Sequence, residues 1–554
     1  MSAVVGVAWT VYGIIAIVSD IFKITTGFIN ICHFKQKALG LFSVGFTQYY
    51  QSKRESERSA TLVTTLLIAV SLWTVALLPI DIFLVSSTVD SETGLKKKWA
   101  DGDTIYWMTL TVQTVYYILY GLILAFLFFL VPYAYFYHQA EGERKKMHAT
   151  KYTTFFLLVL GFLFFFGLFL KPNVLPPHID LEWFRYLLTE SHGAKAVWFV
   201  IACLWIPSMF VFIIYTAPGL SLLPFYLIKH KRTIDTEDED VHRRLEIVRR
   251  QQQEIEQKYS GSDVALSTHD YRTLENLNDE ERILTRRLNG IEEDKASFFQ
   301  RVLKCLRPFE VFIGLILIVF ILLISFSMVM TIFDKIFFSV CGRRCGFIIS
   351  QTTLFNPINF MMVHLQKLFP LDAIIMISVV LYFLLATMTG MIQTGVRCLW
   401  VTLYCIKKRS TKPQALLFSS LVLTFGLFAI NYSMTSIVTP GYAHFGSQVY
   451  CNHTEGGRRD CSLEIDKIVP CDIYAPLEIC TPTVSSMLID RMTINTPLFG
   501  LILYYSQWAF LASFLIGFVI ALFKSSDAYS EHHHDEEEEE EAGLLEEHHH
   551  STYV

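Results

Sequence analysis

Apolar positions along this chain come in long runs of about 20 residues, the length that carries a helix across ~30 Å of hydrocarbon. Nine runs are counted: Ala3 to Val18, Ala60 to Val85, Tyr106 to Phe136, Thr153 to Leu170, Ala194 to Thr216, Val311 to Phe333, Leu371 to Ile392, Ala415 to Val438 and Pro497 to Phe523. The first is short and the third is long enough to tilt. The fifth runs into Ala217-Pro218-Gly219, which reads as a turn that ends it. Ser19 to Phe42 is only patchily apolar, broken by Asp20, Lys23, Lys35 and Lys37, and reads as a surface-lying amphipathic piece. Leu399 to Ile406 is too short to cross and carries Trp400 and Tyr404, so it too reads as lying at the surface. The expected fold is an all-α polytopic membrane protein with about nine transmembrane helices.

Between the fifth and sixth runs lies the one long interior segment that no bilayer could hold, His230 to Arg307. Within it Val241, Leu245, Val248, Gln252, Ile255 and Tyr259 step by four and three, as do Leu274, Leu277, Glu281, Leu284, Leu288 and Ile291. That spacing puts each set on one helical stripe, and Ser260-Gly261-Ser262-Asp263 between them reads as a turn. A helical hairpin is expected, serving either as a structural coiled coil or as a docking arm for a soluble partner. The chain then divides into a membrane region over 1–229 with an irregular stretch at 19–42, the charged hairpin over 230–307, a second membrane region over 308–523 with a Cys-rich loop at 440–496, and an acidic tail over 524–554.

Composition sharpens this picture. Hydrophobic residues make up 53% of the chain and charged residues 18%, and the charge is segregated into loops and tail. The net charge of −5 comes largely from that tail, so it does not point to nucleic acid. No GxxxxGK[ST] phosphate loop, HExxH or other strong catalytic spacing is present, so neither an enzyme, nor catalytic residues, nor a metal site is expected. The first run lacks a small-residue cleavage pattern, so a cleaved signal peptide is not expected.

Basic residues set the orientation. Lys53, Arg54 and Arg58 precede the second run, Arg144, Lys145 and Lys146 the fourth, and Lys407, Lys408, Arg409 and Lys412 the eighth. They place the N-terminus outside the cytosol, in the lumen, and the hairpin and C-terminus in the cytosol; Lys96-Lys97-Lys98 is the discordant cluster. Four of the eleven cysteines, Cys451, Cys461, Cys471 and Cys480, fall in the single loop between the eighth and ninth runs, on the luminal side. Three pairings are open; Cys451–Cys461 with Cys471–Cys480 is favoured because both close short loops, and a zinc site is the alternative. Asn452-His453-Thr454 in the same loop is a glycosylation sequon, whereas Asn431-Tyr432-Ser433 lies inside the eighth run and is expected to stay bare.

The tail holds His532 to His534, an acidic run from Asp535 to Glu541, and His548 to His550, and cannot bury a core. Glu540, four residues before Leu544-Leu545, makes a dileucine sorting signal of the kind clathrin adaptors read. Among polar residues in the apolar runs, Asp81, Asp334 and Asp372 stand at luminal edges and are candidates for proton sensing or cargo handling, against structural pairing. Asp372 suits the first turn of its helix, whereas Asp81 is expected at a helix C-terminal end, where the dipole disfavours a carboxylate. There it would gain a proton in an acidic lumen and bias the packing of the second, sixth and seventh runs, or pair with a base such as Lys335. Gln113, Asn431 and Arg397 read as helix–helix glue.

Several strings carry a family resemblance. Leu77-Leu78-Pro79-Ile80-Asp81-Ile82-Phe83-Leu84-Val85-Ser86, preceded by Tyr50-Gln51-Ser52-Lys53-Arg54-Glu55-Ser56-Glu57, resembles the limb-region-type, lipocalin-receptor-like membrane protein family in its lysosomal cobalamin transport branch. Tyr215-Thr216-Ala217-Pro218-Gly219, Phe369-Pro370-Leu371-Asp372, Thr411 to Phe418 and Trp508 to Gly517 continue the likeness along nearly the whole chain. Ser19 to Phe42 departs from it as an insertion, the tail is not the family's usual one, and Cys471 and Cys480 match where Cys451 and Cys461 are extra. The resemblance implies a nine-span lysosomal membrane protein that moves cobalamin, as cargo and not as cofactor, from lumen to cytosol. It further implies an ABC half-transporter as partner, for which the chain is conduit or escort, and a homodimer. The same resemblance offers an alternative, a membrane receptor or clathrin-dependent endocytic adaptor. It assigns no cobalamin-binding residues.

Overall fold

The structure is a computed structural model that describes residues 26–51, 57–140, 145–168, 192–229, 234–259, 268–296, 310–340, 342, 347–349, 353–368, 370–398, 401–404, 406, 411–455, 458–459, 461, 465–476 and 478–523. Helices dominate. In chain order they are α1 (Thr26–Tyr50), α2 (Arg58–Ala76), α3 (Leu78–Ser86), α4 (Gly102–Ala125), α5 (Val131–Gln139), α6 (Lys145–Leu168), α7 (His192–Val211), α8 (Ala217–Lys229), α9 (Ile234–Tyr259), α10 (Thr268–Ala296), α11 (Glu310–Phe337), α12 (Pro357–Leu365) and α13 (Leu371–Thr394). After a hairpin of β1 (Val396–Cys398) and β2 (Val401–Tyr404) come α14 (Pro413–Ser433), α15 (Pro440–Phe445), α16 (Val484–Asn495) and α17 (Pro497–Phe523). Four short strands lie between α15 and α16: β3 (Val449–Cys451), β4 (Thr454–Glu455), β5 (Arg458–Arg459) and β6 (Ile468–Pro470).

Seven helical stretches among the described residues are long and apolar enough to cross a membrane: Arg58–Ser86, Gly102–Gln139, Ile201–Ile228, Val311–Phe337, Leu371–Thr394, Pro413–Val438 and Leu498–Phe523. They answer to the second, third and fifth to ninth apolar runs. The fourth run falls in α6, and the first, Ala3 to Val18, lies outside the described residues. From Thr26 onward the irregular stretch Ser19 to Phe42 is part of α1, whose Leu39, Ser43 and Thr47 are buried at i, i+4 and i+8 while Leu41 is exposed.

The chain forms two compact units, residues 1–220 with 321–517 and residues 221–320 with 518–554. In the first unit α14 is the central element, with 83% of its span buried, against 28% for Gly102–Gln139. Trp107, Leu110 and Ile118 on α4 stay exposed, the face a bilayer covers. The core joins Val63, Leu67 and Val70 of α2 to Ile123, Leu204, Leu417 and Phe428.

Three helices cross the membrane region with a widened turn, at Phe126–Leu130, Phe212–Thr216 and Met434–Val438. In each, the residue after the turn donates its N–H five residues back, and a proline follows: Pro132, Pro218 and Pro440. Proline's missing donor and its ring disturb the preceding turn, and a π-turn absorbs both; the first two helices continue through it, whereas the third ends at Thr439, whose φ of −134° separates it from α15. This corrects the expectation that Ala217-Pro218-Gly219 ends the fifth run; the helix continues through it into α8. Gly219 is there for approach, because a Cβ would fall 1.8 Å from the Ala386 carbonyl oxygen, and one on Gly390 would fall 2.0 Å from that of Tyr215. At this crossing with α13, Thr216 Oγ1 and Thr387 Oγ1 share a hydrogen bond of 2.8 Å.

Within Leu399 to Ile406 the described residues 401–404 form a strand. Val401–Tyr404 is a strand paired antiparallel with Val396–Cys398, and Tyr404 shares a hydroxyl hydrogen bond of 2.9 Å with Tyr135. Arg397 lies in strand β1. In the second unit α9 and α10 form the expected hairpin around Val241, Leu245, Val248, Leu277 and Leu284, with Ile255 and Leu288 beside them. Arg249 pairs with Glu281 at 2.8 Å, and Tyr259 donates to Asp270. The expected turn Ser260 to Asp263 lies outside the described residues.

Candidate functional site

Each carboxylate singled out in the apolar runs lies at the end of the first unit that carries the disulfides, and each is engaged there. Asp334, one turn before the end of α11, accepts from Thr353 Oγ1 at 2.7 Å and from the Leu354 amide at 3.2 Å, so it ties down the chain that follows. Asp372, in the first turn of α13, accepts from the Tyr442 hydroxyl at 2.9 Å. Burial, and then the charge of Asp372, push the Tyr442 phenol well above its ordinary range.

Asp81 overturns its expectation. The helix breaks at Leu77 ahead of Pro79, so Asp81 stands in the first turn of α3 and not at a C-terminal end. Its Oδ2 accepts from the Ser485 amide at 2.9 Å, at the N-terminus of α16, where Thr483 is the cap. Two helix starts thus face one buried carboxylate, the arrangement in which the dipoles favour its charge. Its hydrogen-bond partner lies on α16 and its charge acts on Tyr116 of α4; among the described residues it makes no ion pair with Lys335, while α3 also packs against α13 of the seventh run.

The short helix α15 gathers these threads. Asn359 Oδ1 accepts from the Tyr442 amide at 2.8 Å, and Asn356 Nδ2 donates to Thr331 Oγ1 at 2.9 Å and to the Val438 carbonyl at 3.1 Å. Gly446 closes the helix with φ +63°, and a Cβ there would fall 1.9 Å from Ser86 Oγ, the atom that also accepts from Gln366 Nε2 at 2.7 Å. Only glycine combines that backbone with that approach.

Behind α15 lies a cleft of about 350 Å³, its open mouth included, lined by Lys335, Phe347, Ile348, Tyr432, Ser436, His444, Asp490 and Thr493 among others. Lys335 is only 5% exposed and sets its ammonium over the Tyr432 ring, 5.9 Å from the centroid. His444 Nε2 lies 3.2 Å from Asp490 Oδ2, and its Nδ1 lies 2.9 Å from the Pro440 carbonyl oxygen. Sequence reading missed this group. Its one available signal was Lys335 just past the sixth apolar run, read only as a partner for Asp81; His444 and Asp490 looked like ordinary loop residues. Among the described residues, no three His, Cys, Asp or Glu side chains gather closely enough to hold a metal ion.

The Cys-rich segment follows α15, with Cys451 bonded to Cys461 and Cys471 to Cys480. Strand β3 pairs with β6, Cys451 opposite Ile468, and the Cys451 amide donates to the Gly94 carbonyl at 3.2 Å. Lys96 Nζ reaches Thr481 Oγ1 at 3.3 Å, so the cluster Lys96-Lys97-Lys98 belongs to the same end as the disulfides. Asn452 is exposed there, whereas Asn431 is buried in α14, with Tyr120 of α4 as its neighbour at 3.5 Å. Gln113 bonds Tyr117 of its own helix at 2.8 Å and so is not glue between helices. Glu540, Leu544 and Leu545 lie outside the described residues.

The family model for LMBR1-like membrane proteins matches residues 31–426. Proteins named "Probable lysosomal cobalamin transporter" from Ajellomyces capsulatus and Sclerotinia sclerotiorum are each 35% identical, over 87% and 88% of this chain and 86% of each relative. One of the same name from Aspergillus terreus is 36% identical over 86% of this chain and 87% of its own length. No solved structure matches the chain. With that match over most of the sequence and relatives of this identity along nearly all of it, the chain belongs to the LMBR1-like membrane protein family.

Proposed function

We propose that this protein is a lysosomal cobalamin transporter, acting in the export of cobalamin from lumen to cytosol. The observation that carries this reading is the shared name of relatives about 35% identical over close to nine-tenths of the chain. A polytopic helical membrane region is the architecture such a task needs. In this reading the protein is a transporter and not an enzyme, with cobalamin as cargo. The disulfide-bonded end faces the lumen, where an oxidised loop and a glycan on Asn452 belong. The hairpin and the C-terminus face the cytosol.

The sequence contains no phosphate loop, so energy comes from a gradient or from an ATP-hydrolysing partner, an ABC half-transporter. The cleft at Lys335 is far smaller than a corrinoid, which favours escort over conduit. Purified protein reconstituted in liposomes, with and without that partner, and loaded with labelled cobalamin, tests this directly. Efflux only with both proteins supports escort, efflux from this chain alone makes it the conduit, and no dependence of efflux on this chain refutes the transport reading.

One observation favours a second role. The hairpin of α9 and α10 buries one stripe and leaves Arg243, Glu246, Arg250, Glu254 and Glu275 exposed, a charged surface suited to a soluble partner such as a clathrin adaptor. Deleting residues 230–307 separates the roles: export that survives while partner capture and uptake fail assigns the arm to trafficking. Replacing Leu544 and Leu545 by Ala moves the protein to the cell surface if the tail steers it to lysosomes. Cross-linking in native membranes tests the homodimer.

A further inference from the structure

We propose that the cleft between α11, the end of α14, α15 and α16 binds one small monovalent anion, held by Lys335 and completed when His444 is protonated. The argument begins with hydrogen positions. The Pro440 carbonyl can only accept, so His444 Nδ1 must donate to it at 2.9 Å. Asp490 Oδ2 stands 3.2 Å from Nε2 and, as a carboxylate, also accepts. A neutral imidazole carries one N–H and cannot serve both; the imidazolium can. The geometry is that of a charged His444 paired with a charged Asp490.

That pairing leaves Lys335 in excess. Lys335 is 5% exposed and lines the cleft, and among the described residues its ammonium forms no ion pair; its contacts are the Tyr432 ring and the more distant field of Asp490. The charged and titratable groups facing the cleft are Lys335 from α11, Tyr432 from α14, His444 from α15 and Asp490 from α16, while the stretch 347–349 contributes only Phe347, Ile348 and Ile349. Two cations face one carboxylate. The other buried carboxylates among the described residues are committed elsewhere, Asp81 to Ser485, Asp334 to Leu354 and Asp372 to Tyr442. A buried cation without its counter-charge is strongly unfavourable, and one monovalent anion restores neutrality.

The donors for such an anion are present. Besides the ammonium, the Tyr432 hydroxyl accepts from Gln507 Nε2 at 3.2 Å and so keeps its own proton to give. Ser436 lines the same space with a second hydroxyl. The enclosed room suits a single halide or the head of one small carboxylate. When pH rises and His444 loses its proton, Asp490 is left to Lys335 and the reason for an anion disappears. The site is thus filled in acid and vacated once pH rises far enough for His444 to lose its proton, independently of any cobalamin carried.

The test uses purified full-length protein in detergent at constant ionic strength, with gluconate as the bulky reference anion. Chloride, bromide or acetate is titrated in at pH 5 and at pH 8 while the thermal midpoint is read. A saturable upward shift at pH 5 that is absent at pH 8, and absent at pH 5 in Lys335→Met, is the expected result; the ranking of halides against acetate names the anion. Equal midpoints in chloride and gluconate, or a linear rise shared by sulfate, overturn the proposal. So does a shift that Lys335→Met retains. Should Lys335→Met not fold, chloride-35 line broadening by the wild-type protein, displaced by bromide, replaces it. Broadening at pH 5 that falls at least several-fold at pH 8 and in Tyr432→Phe with Ser436→Ala supports the site, and broadening equal in all of these refutes it.

Discussion

His444 Nε2 and Asp490 Oδ2 meet at 3.2 Å although 46 residues and two disulfides separate them in sequence. The contact links α15, at the end of the most buried span, to α16, which carries the chain into the last one. Burial pushes the His444 imidazole down, but the Asp490 charge and hydrogen bond, with the Pro440 carbonyl, outweigh it, Lys335 opposing, and leave it raised above its ordinary value.

A histidine raised on folding stabilises the protein in acid. The contribution is fully present below the unfolded value of about 6.5 and is lost as pH rises through the folded value. The thermal midpoint of wild type minus that of His444→Gln is therefore expected to be positive at pH 5 and to shrink towards pH 8. A difference that grows with pH contradicts the pairing.

Asp81 holds the start of α16. Asp81→Ala removes an acceptor from a buried amide and is expected to cost about 1–3 kcal/mol. Asp81→Asn keeps an oxygen and is expected to lose less, across the whole range from pH 5 to 8. Denaturant unfolding in detergent measures both; if Asn matches wild type only in acid, Asp81 is a proton switch and not a fixed anchor.

The crossing at Gly219 and Gly390 has no space for a methyl group. Either residue changed to Ala is expected to destabilise at or above the upper end of the ~1–3 kcal/mol typical of overpacking. Gly121→Ala, where a Cβ meets nothing within 4 Å, is expected to be neutral or stabilising by up to ~1 kcal/mol. Yield of folded protein on detergent extraction and its midpoint separate the two outcomes.

The disulfides close loops of 10 and 9 residues. By loop entropy each is expected to contribute about 2–3 kcal/mol. Paired Ser variants, Cys451 with Cys461 and Cys471 with Cys480, should lower the midpoint and speed proteolysis between residues 446 and 483. Unaltered cleavage in either pair means that strand pairing alone orders the segment.

In the hairpin, Leu245 is buried in the seam while Arg249 reaches Glu281 from a largely exposed position. Leu245→Ala is expected to cost about 2–5 kcal/mol, and Arg249→Ala within ~1 kcal/mol. Limited proteolysis within residues 234–296 reports the order of the two; equal effects would mean that charge, and not the apolar stripe, holds the arm.

The sequence alone determined what local period can determine. Runs of about 20 apolar residues fix which segments cross, and the α9 and α10 stripes fix a hairpin, because both patterns are properties of one helix and its solvent. The loop cysteines were legible as a group for the same reason, since nearness in sequence made their short loops. Tertiary structure decided the rest. Pro218 read as a stop, yet the chain continues through a π-turn because α13 presses Gly390 against Tyr215. Leu399 to Ile406 read as a surface piece, yet a strand partner at Val396–Cys398 takes its backbone hydrogen bonds. Asp81 read as a destabilised helix end, and only the arrival of α16, 404 residues further on, gives its carboxylate an amide. Lys335, His444 and Asp490 share no local pattern at all; they become a site because α11, α15 and α16 bring them to one cleft, where each largely buried charge must answer to the others.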